Sequence, residues 1–489
     1  MAQRHHFLAL DLGAESGRGE LVTLEGGKVT MEEVHRWPNR PVRMAGTLYW
    51  DFPFLFAEVV AAIRAAVTRG LPLSGVSVDT WGVDFGLLGR DGKLLGNPVH
   101  YRDGRTEKIH DYSGRFMSND DIFAATGYEP WTISSLFQLL AMRRDRSPLL
   151  EAADSFLNMP DLLNYFLTGR KCNERSIVNT SNFLGTDGRW ATGVMEAFSL
   201  PRGLFGELVE PGTVLGEALP AVREAAALGQ VPVIATCGHD TSAAVAAVPG
   251  EGDDWAFLSC GTWSILGSLI DRPITDLQCL RQGFTNEYTV GGWYLARNIL
   301  GLWLAQELRR KWRHDDDAWD YARMTAEAAQ AKSGPLVNVA DASLLAPPDM
   351  EEALLRLIDA GGQKRPSSRG QLVRGVLESL ALEYDARLRA VGGLTGRKPK
   401  ALYMVGGGTA NKLLCQLTAD ACGLPVHAGA DQCTALGNAL CQALALGILR
   451  DRQEIRQVMA NSFELTVYQP TEPPLWEKKR RQYAQLARR

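Results

Sequence analysis

Short apolar runs broken by glycine-rich or acidic turns open the chain, and their spacing predicts a strand-turn-strand start. Residues 7–10 form an apolar run of strand length, Asp11-Leu12-Gly13-Ala14-Glu15-Ser16-Gly17-Arg18 reads as a turn, and 19–24 run back. Gly26-Gly27 reverses the chain again into 28–33. The period then changes: Val59, Val60, Ile63, Ala66 and Val67 recur at helical spacing within 54–69. Buried strands are predicted at 75–78, leading into Asp79-Thr80-Trp81-Gly82-Val83-Asp84, and at 231–236. The second ends in Cys237-Gly238-His239-Asp240-Thr241, and small residues at 242–248 open a helix.

Pro249-Gly250-Glu251-Gly252-Asp253-Asp254 is the best linker in the chain, turn-rich and charged. Beyond it a second strand-turn-strand, 255–258, Ser259-Cys260-Gly261-Thr262 and 263–270, echoes the first. Helices are expected near 297–312, 370–392, 410–422 and 433–447, with a strand at 401–405 before Gly406-Gly407-Gly408. This order predicts two α/β halves, residues 1–248 and 249–489, each opened by a hairpin, with ligand in the cleft between them.

Bulk properties narrow the class without choosing a function. At 489 residues the chain exceeds one ordinary core. The apolar share of 45% and the charged share of 22% are those of a globular protein. A net charge of −4 gives no electrostatic reason to expect nucleic acid or an anionic membrane as partner. A phosphate ligand must therefore be held by local backbone geometry or a metal. The eight cysteines form no CxxC pair and no zinc spacing, and no apolar run is long enough for a signal peptide or a membrane span. Cytoplasmic location with reduced thiols is the expectation, and oligomeric state is open.

Four constellations carry candidate chemistry. Asp11-Leu12-Gly13 with Gly17 can bring backbone N–H groups towards a phosphate and place Asp11 to hold a metal ion through water; an ordinary hairpin turn explains it equally well. Ser259-Cys260-Gly261-Thr262 offers the same device in the second half, a backbone donor and a hydroxyl, although a plain hairpin again suffices. Gly406-Gly407-Gly408 suits passage of a nucleotide over a surface without side chains, against the plainer reading of a flexible loop. Asp240, at the end of a strand, has the type and place of a carboxylate that accepts a hydroxyl proton in phosphoryl transfer, and it also suits a helix N-cap. Asn298 and Gln306 fall within one stripe of the predicted 297–312 helix, either as satisfied core amides or as cleft-side groups for sugar or nucleotide. No GxxxxGK[ST] and no GxGxxG occurs, which argues against P-loop and dinucleotide-type binding.

Taken in order, Asp11-Leu12-Gly13…Ser16-Gly17-Arg18, Asp79-Thr80-Trp81-Gly82-Val83-Asp84-Phe85, Tyr101-Arg102-Asp103, Gly238-His239-Asp240-Thr241, Ser259-Cys260-Gly261-Thr262-Trp263-Ser264 and Gly406-Gly407-Gly408 resemble the FGGY carbohydrate kinases over residues 7 to about 445. The resemblance implies an actin-like ATPase fold, two ribonuclease-H-like α/β domains around a central cleft. It also implies Mg²⁺-dependent phosphate transfer from ATP to a small-molecule sugar. It assigns Asp240 as general base and Ala14, Glu15, Ser16, Gly17, Arg18, Thr262, Gln306 and Gly407 as ATP contacts. Gly82, His239, Asp240, Thr241 and Asn298 become sugar contacts, and Asp11 the carboxylate that holds Mg²⁺. The 79–85 stretch, His239 and Asn298 to Trp303 make the 1-hydroxyl of L-rhamnulose the leading acceptor, with L-fuculose, D-xylulose or glycerol as other acceptors and a non-kinase actin-like ATPase as the remaining class. One departure is Gln432 where the family usually has Glu, in Asp431-Gln432-Cys433-Thr434-Ala435-Leu436-Gly437-Asn438, expected at the nucleotide end.

Overall fold

The computed structural model describes residues 3–252 and 254–487, so Asp253 of the predicted linker lies outside the described residues. The chain divides into two compact units that interleave along it. The first comprises Met1–Pro249, Ile270–Leu295 and Cys433–Ser462; the second comprises Gly250–Leu269, Ala296–Gln432 and Phe463–Arg489.

The first unit is built on a six-stranded sheet in the order Thr213–Glu217, Pro232–Ala235, Leu73–Thr80, His5–Leu12, Ser16–Glu25, Lys28–Pro38. The predicted N-terminal strands are present as an antiparallel meander, in which Asp11 faces Arg18 and Gly17 faces Trp37. His5–Leu12 also pairs in parallel with Leu73–Thr80, which sets Asp11 beside Asp79. A strand covered on both sides needs apolar side chains on both faces, and Phe7, Leu8, Ala9, Leu10 and Leu12 are all buried. The helix Phe52–Val67 covers one face. Asp51 caps it by accepting from the Phe54 N–H, Pro53 stands in its first turn, and Leu55, Val59, Ala62, Ile63 and Ala66 point inward. The helices Asp240–Ala246 and Cys433–Ala445 pack so closely on each other that a Cβ on Gly437 would stand 1.9 Å from the Ala243 carbonyl oxygen. Only glycine fits there.

In the second unit, Trp255–Cys260 pairs antiparallel with Trp263–Ile270 and in parallel with Ala401–Val405, which is followed outward by Val426–Ala428 and Thr466–Tyr468. The long helix Arg369–Thr395 lies within this unit and buries Glu378, which is held by Arg374 at 2.7 Å and Lys479 at 2.7 Å. The linker is more ordered than its composition predicts: the Trp255 indole donates to the Gly252 carbonyl at 2.9 Å and packs where a Cβ on Gly250 would stand.

The helix predicted near 297–312 is present from residue 303, but its predicted first residues are strand. Residues 292–300 form the strand Gly292–Leu300, and the helix starts only at Trp303 and runs to Asp315. Trp293, Tyr294 and Leu295 favour strand. Gly301 then passes so close to the neighbouring hairpin that a Cβ would meet the Gly261 carbonyl oxygen and Ser264 Oγ, each at 2.6 Å. Asn298 and Gln306 therefore lie on different elements, and the shared helical stripe does not exist.

Candidate functional site

In the first unit, the strand ends gather three carboxylates. Asp11 closes His5–Leu12 and is almost fully buried; the Arg18 guanidinium donates to its Oδ2 from Nε at 3.0 Å and Nη2 at 2.7 Å. Asp79 is fully buried, accepts from Asn438 Nδ2 at 2.6 Å through Oδ2, and leaves Oδ1 with no hydrogen-bond partner. Burial drives its pKa well above the usual carboxylate range, and the negative charges of Asp11 and Asp240 add to the rise.

Asp240 begins the helix Asp240–Ala246, but the cap position belongs to His239. Its carboxylate instead accepts from the Thr241 N–H at 2.6 Å and Thr241 Oγ1 at 3.2 Å, and about a third of the side chain, 31%, is open to solvent. Burial raises its pKa and Asp11 adds to the rise, with His239 and Thr241 opposing. Asp240 therefore does not occupy the N-cap position of this helix. Thr241 is turned to Asp240 itself.

His239 and Asp240 are carried on a turn clamped from below. The Thr80 N–H donates to the Gly238 carbonyl at 2.9 Å, which brings Thr80-Trp81-Gly82 alongside. Glu174, buried, accepts from the Gly238 N–H at 2.8 Å and the Ser176 N–H at 2.7 Å; burial pushes its pKa up to about 7. Gly82 lies against Thr180, whose side chain a Cβ would meet at 3.0 Å. Asp84 is buried and collects indole N–H groups from Trp50 at 2.6 Å and Trp81 at 3.0 Å, with Gln138 Nε2 on the other oxygen at 3.1 Å; burial lifts its pKa to about 6.

The turn at Gly13-Ala14-Glu15 is shaped by Asn39, whose N–H donates to the Glu15 carbonyl at 2.9 Å and whose Nδ2 donates to the Gly13 carbonyl at 2.7 Å. Gly17 is glycine for a reason that the sequence concealed: a Cβ would stand 2.2 Å from the Trp37 ring. The Gly437-Asn438 pair likewise serves the first unit, where Gly437 permits the helix contact and Asn438 holds Asp79. Gln432, assigned to the second unit, has a buried Oε1 without a hydrogen-bond partner.

In the second unit, Thr262, Gln306 and Gly407 line one cavity of about 1030 Å³, together with Leu302, Val373 and Leu377. Such a volume is at the upper end of small-molecule sites. Gly301 and Trp303 donate their N–H groups to the Thr262 carbonyl at 3.2 and 3.1 Å, fixing the hairpin tip against the start of the Trp303–Asp315 helix. The glycine triplet is not a flexible loop. Gly406 has φ +86°, and a Cβ on Gly408 would stand 2.3 Å from Cys260 Sγ, whereas Gly407 has open space before it. Asn298, on the strand Gly292–Leu300, is not among the lining residues.

Sequence reasoning gave no individual role to Asp79, Glu174 or Asn39, whose contacts with Asn438, Gly238 and Gly13 join residues distant along the chain. The pairing Asp11–Arg18 at a strand end was the one local signal. Among the described residues, no group of three or more His, Cys, Asp or Glu is arranged to hold a metal directly, the eight buried cysteines form no disulfide, and no helix is long and apolar enough to cross a membrane. The donor chemistry beside Asp11 fits Mg²⁺, which takes one or two carboxylates and keeps its waters, and the orphaned Asp79 Oδ1 leaves such an oxygen available.

The chain belongs to the FGGY family of carbohydrate kinases: the family's N-terminal domain matches residues 6–247 and its C-terminal domain 256–446. It is a phosphotransferase that uses ATP. Its similar curated relatives include rhamnulokinases from Bacteroides thetaiotaomicron, 37% identical over 97% of this chain and 98% of the relative, and Enterococcus faecalis, 34% identical over 96% and 94%. Among solved structures, gluconate kinase from Lactobacillus acidophilus superposes with a TM-score of 0.81 at 16% identity, covering 99% of this chain and 97% of that one. Plasmodium falciparum glycerol kinase with ADP gives 0.80 at 14%, covering 99% and 98%. The fold is the actin-like two-domain ATPase fold.

Proposed function

We propose that this enzyme transfers the γ-phosphoryl group of ATP to the 1-hydroxyl of L-rhamnulose in the cytoplasm, with Asp240 as general base. The observation that carries the reading is the Asp240 carboxylate. It is released from capping, partly open, and raised in pKa by burial, so it is poised to accept a hydroxyl proton as the hydroxyl oxygen attacks phosphorus. Identity of 30% or more to several rhamnulokinases over nearly the whole chain supports the choice of sugar.

Gly82, His239, Thr241 and Asn298 are assigned to the sugar. Ala14, Glu15, Ser16, Gly17 and Arg18 are assigned to the phosphates, with Thr262, Gln306 and Gly407 on the nucleotide. The apolar wall of Leu302, Val373 and Leu377 suits an adenine ring, and the open face of Gly407 lets a phosphate approach the backbone. Asp11, with the free oxygen of Asp79, would hold Mg²⁺ through water. The ion's chemistry there is to neutralise charge on the phosphate oxygens. The Arg18 guanidinium holds the Asp11 carboxylate in place through two hydrogen bonds to Oδ2.

The test is ADP release against a panel of L-rhamnulose, L-fuculose, D-xylulose and glycerol, with Asp240→Asn alongside. L-Rhamnulose is expected to give the highest kcat/KM, and the variant to lose about 10²–10⁴-fold in kcat. Near-normal turnover of Asp240→Asn on the best sugar removes the general-base assignment, and a better polyol or ketose replaces the acceptor.

A further inference from the structure

His239 sits between two carboxylates in the first unit. Its Nε2 is 3.4 Å from Asp240 Oδ1, and its Nδ1 is 3.3 Å from Glu287 Oε2. Glu287, on the strand Thr285–Thr289, is only 5% exposed and has a further partner, the Tyr294 hydroxyl, which donates to the same Oε2 at 2.6 Å. Ser242 Oγ completes a small ring, 3.0 Å from the Tyr294 hydroxyl and 3.3 Å from His239 Nδ1.

Proton counting orders this ring. A carboxylate only accepts, so the Tyr294 hydroxyl spends its one proton on Glu287. Ser242 then donates to the Tyr294 oxygen, because that oxygen has no second proton to give. Both atoms facing His239 Nδ1, Glu287 Oε2 and Ser242 Oγ, are left as acceptors. Nδ1 must therefore carry a hydrogen.

We propose that Glu287, through Tyr294 and Ser242, is a positioning residue for the sugar: it fixes His239 with a proton on Nδ1 and so sets Nε2 as the ring atom that meets the acceptor beside Asp240. This rests on the assignment of Asp240 and His239 to the acceptor. Burial lowers the His239 pKa, but the hydrogen bond and charge of Glu287 together with the charges of Asp240 and Glu174 outweigh it, so the net shift is upward, in line with an anchored Nδ1–H. The arrangement parallels in its logic the carboxylate that orients a catalytic imidazole by bonding its remote nitrogen. Neither the Glu287 side chain nor the Tyr294 hydroxyl belongs to the motifs that carry the family resemblance.

The experiment follows His239 by long-range ¹H–¹⁵N NMR at about pH 9, above the ordinary histidine range, with its signals identified by their loss in His239→Asn. The full-length wild type is expected to show a protonated Nδ1. Glu287→Gln, whose amide can donate as well as accept, is expected to abolish that preference, to raise the KM for the ketose about tenfold and to leave the KM for ATP within about twofold. Tyr294→Phe, which keeps the ring's packing, is expected to shift both readouts in the same direction and serves if Glu287→Gln does not fold. Retention of protonated Nδ1 with an unchanged ketose KM overturns the proposal, as does an equal rise in both KM values. Asp240→Asn separates the two ideas, because its activity judges the general base, whereas the NMR signal judges Glu287 without any turnover.

Discussion

Gly437→Ala places one methyl group where it must move the catalytic helix. The added Cβ would lie 1.9 Å from the Ala243 carbonyl oxygen and 2.7 Å from its carbon, both main-chain atoms that no rotamer change can withdraw. Restoring an ordinary contact requires the helices Asp240–Ala246 and Cys433–Ala445 to part by about 1.5 Å, since overpacked backbones in a dense interior yield by displacement. Asp240 is three residues from the contact and moves with it. A misplacement of about 1 Å costs on the order of 100-fold in rate when reacting atoms must align, so kcat is expected to fall by about that factor. The strain adds roughly 1–3 kcal/mol of destabilisation. Coupled ADP release at saturating ATP and ketose gives the first number, and denaturant unfolding gives the second. ADP binding by calorimetry is expected to survive, because the cavity lining belongs to the second unit. A variant with kcat within threefold of wild type and unaltered stability refutes the reasoning.

Three further outcomes follow from the same contacts. Asn438→Ala leaves the buried Asp79 carboxyl without its partner and is expected to cost about 1–3 kcal/mol, measured by equilibrium unfolding. Glu174 has a folded pKa of about 7 against an ordinary value of 4.5, so the folded state binds its proton more tightly than the unfolded state. Its contribution is fully present below about pH 4.5 and is lost as pH rises through 7, up to about 3 kcal/mol. Glu174→Gln lacks this loss, and the stability advantage of wild type over the variant is expected to shrink between pH 5 and pH 8. Gly407→Leu projects a side chain into open cavity space, so the Kd for ADP is expected to rise at least about tenfold while stability changes by less than about 1 kcal/mol; unchanged affinity removes Gly407 from the nucleotide site.

Much of this architecture was legible because local signals agreed with one another. Both hairpins, the helix Phe52–Val67 and the strand Ala401–Val405 follow from period and turn residues, and each is nearly where the pattern placed it. The strand Gly292–Leu300 was not, since apolar residues in a short run fit either period and the deciding fact is the close approach at Gly301. Glycines carry a second meaning that the sequence does not show: Trp37 packs where a side chain on Gly17 would stand, and Cys260 does the same at Gly406 and Gly408. Long-range pairs such as Asn438 with Asp79 carry no local signature at all, because nothing near either residue marks the other.

The interleaving of the two units has a consequence for synthesis on the ribosome. Asp240 emerges early, but Glu287 follows about 50 residues later, and Asn438, which pairs with Asp79, comes 359 residues after it. Until residue 445 has left the tunnel, the first unit lacks the complete Cys433–Ala445 helix, and before Gln442 emerges the Leu8 carbonyl lacks the amide that serves it. The nascent chain must therefore hold an apolar sheet face open while Ala296–Gln432 of the second unit is made. The last part of the first unit to be translated carries Asn438, so a chain stopped short of it leaves the buried Asp79 carboxyl without its amide partner.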